Sequence, residues 1–228
     1  MRFALGMVLS FVYVFSVIGA ATVLSKLGYL KSEGSRKFIH IGVGNWWLIA
    51  MAFFDAWWQA ALVPVAFVFV NYLSYKRKLF AAMERGGGIE DLGTVWYALS
   101  LAILSALTFA AGQPWIGAIG ILCMTWGDGL AAVAGSRQGR HPLPVFRGKS
   151  VEGTVTMFAA SFAVALSVLA FRGGAAGFPG TIAPSLLPAL ALATTATLLE
   201  SATPAGFDNL SVPLGVSLLA RLLVGGAA

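Results

Sequence analysis

The sequence predicts an all-α fold, a polytopic transmembrane helical bundle of about seven to eight helices. Three observations predict it. Of 228 residues, 58% are hydrophobic and only 11% charged, with a mean hydropathy of +0.84, a balance far more apolar than that of a soluble domain. Apolar runs recur at the ~20-residue length that a bilayer core demands. The polar segments between them alternate between strongly basic and almost uncharged, the charge asymmetry expected of loops on the two sides of a membrane. A chain of this length is expected to form a single integral membrane domain, residues 1–228, with little room for a separate soluble one.

The first apolar segment is residues 3–24. Arg2, the run from Phe3 to Ile18 and the small residues Gly19, Ala20 and Ala21 fit a signal peptide, but Thr22, Val23 and Leu24 carry the run to spanning length, so it is read as an uncleaved helix. Lys26, Lys31, Arg36 and Lys37 follow, then segment 38–54, Asp55, and segment 57–75. Lys76, Arg77, Lys78 and Arg85 precede segment 93–111, and segment 115–135 follows a short turn. Arg137, Arg140, Arg147 and Lys149 precede segment 154–171. A Gly-rich turn from Arg172 to Gly180 leads to segment 182–199. The last segment, 210–224, contains Pro213 and Gly215 and reads either as a helix or as a broken, re-entrant piece.

Twelve of the fifteen lysines and arginines therefore fall in the first, third and fifth loops. The positive-inside rule places those loops in the cytoplasm and both termini outside, in a cell (inner) membrane. Glu33, Glu84, Glu90, Asp91, Asp128, Glu152, Glu200 and Asp208 map to the same side, and only Asp55 does not. Basic flanks alone would suffice for topology, so acids and bases mixed on one face point to a polar site. The net charge of +6 comes from short clusters between apolar runs. Such clusters suit anionic lipid or a phosphorylated substrate and argue against nucleic acid. The one cysteine, Cys123, lies within an apolar run, so no disulfide framework or cysteine metal site can form.

Four polar islands carry candidate chemistry. Asp128 sits inside an apolar segment, where a carboxylate is costly unless it faces protein, water or a cation. It reads as a metal-binding carboxylate in preference to the arginine partner of a packing helix. Gly127, Ala131 and Gly135 around it have the small-xxx-small spacing of closely approaching helices. The loop Gly135 to Thr154 is basic and rich in Gly and Pro. Its free amides, the helix it opens, Arg147 and Lys149 form either a phosphate cradle or a lipid-headgroup anchor. Gly148-Lys149-Ser150 matches the end of a P-loop, but Leu143 stands where that motif needs glycine. Helical spacing aligns Arg36, His40 and Gly44 on one face, and His40 is either a phosphate contact, a proton shuttle or a structural hydrogen-bonder. Glu200, Asp208 and Asn209 form the last island, a metal or hydroxyl site or a solvated turn. H-E-x-x-H and G-x-S-x-G are absent. The later aspartates of a CDP-alcohol phosphotransferase are also missing, because no Asp lies between Asp128 and Asp208.

Together, Arg36-Lys37-Phe38-Ile39-His40, Gly127-Asp128-Gly129 to Gly139, Gly148-Lys149-Ser150-Val151-Glu152-Gly153-Thr154 and Asp208-Asn209-Leu210 to Pro213-Leu214 resemble the phytol, farnesol and dolichol kinases over roughly residues 35 to 215. The chain is also distantly similar to CTP:phosphatidate cytidylyltransferase, which shares a Lys-Ser/Thr-x-Glu-Gly element, and to CTP-using diacylglycerol kinase. The resemblance implies a Mg²⁺-requiring transfer of the γ-phosphate of CTP to a long-chain prenyl alcohol. It implies Asp128 as a Mg²⁺ ligand, with Asp208 or Glu200 as a second ligand or as the base that receives the alcohol proton. It implies Lys149, Arg147, Arg36 and Lys37 on the triphosphate, His40 among the catalytic groups, and Ser150, Glu152, Gly153 and Asn209 ordering the loop or the cytidine. The compact chain is more similar to the phytol or farnesol type than to the longer dolichol kinases. Membrane lipids surround such an enzyme, and a second copy of the chain is left open as a partner. A cytidylyltransferase would release pyrophosphate instead of CDP. A small transporter would need polar residues in the outer leaflet, where this sequence is almost wholly apolar.

Overall fold

A computed structural model describes residues 1–77, 92–144, 148–171, 182–204 and 206–226. Lys78, Glu84, Arg85, Glu90, Asp91, Arg147 and the turn from Arg172 to Gly180 lie outside the described residues. Those described form nine helices, α1 (Arg2–Lys26), α2 (Ser32–Gly44), α3 (Trp46–Phe53), α4 (Trp57–Arg77), α5 (Gly93–Ala110), α6 (Pro114–Gln138), α7 (Val151–Phe171), α8 (Ile182–Ala202) and α9 (Asp208–Val224). Six of them, α1, α4, α5, α6, α7 and α8, are long and apolar enough to cross a membrane. The chain is thus a polytopic helical membrane protein. Backbone polar groups must be satisfied within a segment in hydrocarbon, which is why the apolar runs become helices.

Three details differ from the expected segments. Segment 38–54 is two helices, separated at Asn45, and the Leu48 N–H there reaches back only three residues to the Asn45 carbonyl at 3.1 Å. Four helices extend about one or two turns past their apolar stretch: α2 begins at Ser32, α6 continues to Gln138, α7 begins at Val151, and α8 ends at Ala202. Helical backbone tolerates charged residues; only immersion in lipid does not. The last segment is a continuous helix with Pro213 inside it, so the broken alternative is set aside.

By its internal packing the chain divides into two compact units, Met1–Pro114 with Pro204–Leu210, and Trp115–Thr203 with Ser211–Ala228. In the first, α1 runs antiparallel to α2 and α3. The Ser35 hydroxyl donates to the Ala21 carbonyl (3.4 Å), the Tyr13 hydroxyl to the Gly42 carbonyl (2.8 Å) and the Arg2 guanidinium to the Ala52 carbonyl (2.7 Å). A side chain at Gly6 would run into Phe53 and Phe54, so glycine permits that approach. Helices α4 and α5 pair closely, and the Asn71 amide donates to the Thr94 carbonyl at 2.9 Å. The outward face of α1, with Leu5, Val8, Val12 and Phe15, is exposed and apolar, as a lipid-facing surface must be.

The second unit is built on α6, which is buried over most of its length. Cys123 and Ser161 exchange hydrogen bonds between α6 and α7, the thiol donating at 3.4 Å and the hydroxyl at 3.3 Å. Along the same seam a Cβ on Gly153 would lie 3.2 Å from the Ala131 carbonyl. On the other side of α6, the Ser217 hydroxyl donates to the Ile116 carbonyl at 3.3 Å, and a side chain at Gly120 would overlap Ser217 and the Pro213 backbone. Small residues therefore set how near α7 and α9 come to α6. Helices α7 and α8 pack side by side.

Candidate functional site

The first unit contains a partly open slot with a cavity volume of about 70 Å³. Helix α2 contributes Arg36, Ile39, His40 and Val43, one face at helical spacing. Helix α4 contributes Val63, Pro64, Phe67 and Asn71, and helix α5 Thr94, Tyr97, Ala98 and Leu101. Val14 and Ile18 of α1, Trp46 of α3, Gly93 and Asn209 complete the lining. Polar groups gather at one end: Arg36 near the start of α2, Asn71 near the end of α4, Thr94 at the start of α5 and Asn209 at the start of α9. Towards Trp46, Val63 and Leu101 the wall is apolar.

The polar end is ordered by local bonds. Arg36 forms an ion pair with Glu33 one turn earlier, and its Nε donates to Glu33 Oε2 at 3.1 Å. The Tyr97 hydroxyl donates to the His40 carbonyl at 3.1 Å, and the two rings lie 4.7 Å apart. Asn209 is 5% exposed; its amide nitrogen donates to the Gly206 carbonyl at 3.1 Å, while its Oδ1 is buried without a hydrogen-bond partner among the described residues. A buried acceptor left unpaired costs about 1–3 kcal/mol, so this oxygen is open to a donor. Asp208, 8% exposed, begins α9, and its Oδ1 accepts the Asn209 N–H at 2.9 Å. A carboxylate there sits favourably at the positive end of the helix dipole. Lys37 is buried in α2.

In the second unit the loop between α6 and α7 is pinned to the start of α7. Ser150 precedes α7 and caps it, its hydroxyl accepting the Gly153 N–H at 3.1 Å. The Glu152 carboxylate accepts the backbone N–H groups of Arg140 (3.1 Å) and His141 (3.4 Å) and pairs with the His141 ring at 2.7 Å. Two further backbone bonds join the arms of the loop, Leu143 N–H to the Lys149 carbonyl and Val151 N–H to the His141 carbonyl, each at 2.9 Å. Gly148 has φ of +78°, a conformation other residues adopt only with strain. Lys149, which follows it, forms an ion pair with Glu200 at the end of α8. Asp128 is 8% exposed, near the middle of the buried α6.

The expected site residues thus fall into two sets. Arg36, Lys37, His40, Asp208 and Asn209 belong to the first unit, and Asp128, Lys149, Ser150, Glu152, Gly153 and Glu200 to the second. Arg147 is outside the described residues. Among the described residues no three His, Cys, Asp or Glu side chains cluster together. Mg²⁺ does not require such a cage, because it is held by one or two carboxylates plus substrate phosphates. Asp128, Asp208 and Glu200 are all buried, and Glu200 pairs with Lys149. Sequence reading missed Asn71, Tyr97 and Trp46 as slot residues. Asn71, an amide within an apolar run, was the one with a visible signal.

Comparison with known proteins agrees along almost the whole chain. It is 40% identical over 209 residues to a Synechocystis protein named phytol kinase, covering 91% of this chain and 87% of the relative. It is 33% identical over 220 residues to a Glycine max protein named probable phytol kinase 1, chloroplastic, covering 90% and 72%. Phytol kinase 1, chloroplastic, of Arabidopsis thaliana is 30% identical over 215 residues, covering 89% and 70%. No family model matches the chain. No solved structure matches it.

Proposed function

The chain belongs to the phytol kinase family, and we propose that it is a prenol kinase that moves the γ-phosphate of CTP onto a long-chain prenyl alcohol of the phytol, geranylgeraniol or farnesol type. The observation that carries this reading is the slot, an apolar channel whose single polar end offers a cation and an unpaired buried acceptor. An amphiphile with one hydroxyl and a branched hydrocarbon tail matches that distribution. Phosphatidate and diacylglycerol each carry two acyl tails, which a single slot serves less well.

In the proposed reaction the alcohol oxygen attacks the γ-phosphorus, the bond to the β-phosphate oxygen breaks, and CDP leaves. Asn209 Oδ1 accepts the hydroxyl hydrogen bond and orients the oxygen, and Asp208 takes the proton. His40, at the polar end of the slot, lines the path of the hydroxyl. Arg36, Lys37, Arg147 and Lys149 are the cations assigned to the phosphates, with Lys149 presented by the capped loop before α7. Phosphoryl transfer asks a protein mainly for such positioning and charge neutralisation. Mg²⁺, when bound, would supply charge neutralisation on the phosphate oxygens, with Asp128 as its carboxylate ligand. The basic loops put this face in the cytoplasm, where CTP arrives from water and the alcohol from the bilayer.

Purified protein in liposomes with labelled CTP, Mg²⁺ and geranylgeraniol should yield prenyl monophosphate and CDP, and Asp128→Asn should reduce the product to background while leaving thermal stability near that of the parent. Pyrophosphate in place of CDP would mean cytidylyl transfer. Failure to transfer anything from CTP to any lipid alcohol would end the kinase reading.

A further inference from the structure

We propose that Trp46, at the junction of α2 and α3, is the floor of the slot and selects the prenyl alcohol by chain length. The inference rests on the prenol kinase reading and deepens it. Trp46 lines the slot and is 1% exposed, and it shares the apolar end with Val63 and Leu101, at 2% and 4%. Trp46 is braced from outside the slot. The neighbouring Trp47 indole donates to the Pro114 carbonyl at 3.0 Å and meets Trp46 edge-on at 6.5 Å between ring centroids. The turn that presents Trp46 is tightened by the short Leu48 to Asn45 bond at 3.1 Å. On the α4 wall, Pro64 is buried beside Val63 and lines the slot with it.

The depth follows from helix geometry. At a rise of 1.5 Å per residue, the eight steps from Val63 to Asn71 span about 12 Å, the seven from Thr94 to Leu101 about 10 Å, and the ten from Arg36 to Trp46 about 15 Å. An extended isoprene unit, four C–C bonds of about 1.5 Å in zigzag, advances ~5 Å. The walls of the slot therefore run for two to three units below the hydroxyl, and a fourth unit must bend at Trp46. Among the described residues the Trp46 indole N–H has no hydrogen-bond partner, so what holds the ring at the floor is packing, and a shorter side chain there would deepen the slot. Length selection by a buried aromatic floor follows from close packing, which penalises each carbon that must bend at the floor.

The test compares kcat/KM for geraniol, farnesol and geranylgeraniol, with two, three and four isoprene units, using full-length protein in liposomes with CTP. Trp46→Leu, which deepens the slot, should raise the geranylgeraniol-to-geraniol ratio by about tenfold or more, and Val63→Phe, which shortens it, should lower the ratio by a similar factor. Trp46→Phe, which keeps a ring and removes the N–H, should hold the ratio near the parent value. If Trp46→Leu unfolds in detergent, Val63→Phe alone decides the matter. Ratios within twofold of the parent in an active enzyme would overturn the floor and leave the kinase reading standing. Absence of phosphorylation with all three alcohols would overturn both.

Discussion

Replacing either partner of the Lys149–Glu200 ion pair should be costly, but unequally. The lysine side chain is 28% exposed and the glutamate 5%. Lys149→Met leaves a carboxylate buried without its countercharge. Removing one partner of a fully buried pair costs 3–5 kcal/mol, and the partial exposure on the lysine side brings the expected loss to about 2–3 kcal/mol. Glu200→Gln leaves an ammonium on a long flexible stem that can turn towards water, a loss of about 1 kcal/mol. For a chain of this size 1 kcal/mol moves Tm by ~2–4 °C. Thermal unfolding in detergent, followed by tryptophan fluorescence, should therefore show a drop of about 4–12 °C for Lys149→Met and ~2–4 °C for Glu200→Gln. Lys149→Met with Glu200→Gln should be more stable than Lys149→Met alone, because no charge is then stranded. Equal losses for the two single variants, or a double variant as poor as their sum, would refute the assignment of the buried charge to Glu200.

The same substitution should have opposite effects at two glycines. Gly120→Ala forces a methyl into Ser217 and the Pro213 backbone and should lower Tm through an overpacking cost of about 1–3 kcal/mol. Gly19→Ala meets nothing within 4 Å and should raise stability by roughly 0.5–1 kcal/mol through helix propensity. Ser150→Ala removes the cap of α7 and should cost about 1 kcal/mol, with Ser150→Thr restoring most of it in the same melt.

The chemistry-bearing residues were legible where their type was costly for their surroundings. Asp128 inside α6, and Lys149 and Glu152 around a glycine-rich turn, stand out in the sequence because lipid or packing would otherwise exclude them. Their partners were not legible. Nothing in the spacing joins Lys149 to Glu200 across 51 positions, or Tyr97 to His40 across 57. The helix ends were misjudged for a related reason. Hydropathy registers where a helix enters lipid, while the backbone stays helical through the polar turns that hold Arg36, Glu152, Glu200 and Asp208.

The amino-acid sequence by itself determined the helical membrane architecture, the clustering of charge in alternate loops and the residue types of the polar islands. These depend on the local balance between apolar side chains and lipid, and each ~20-residue window contains that balance in full. Only the tertiary structure decided that α2, α4 and α5 enclose a slot with Trp46 at one end and Asn209 at the other, and that Glu200 is held by Lys149. Those relations are set by how closely helices approach, and that distance depends on glycines such as Gly6 meeting particular side chains far away in the chain.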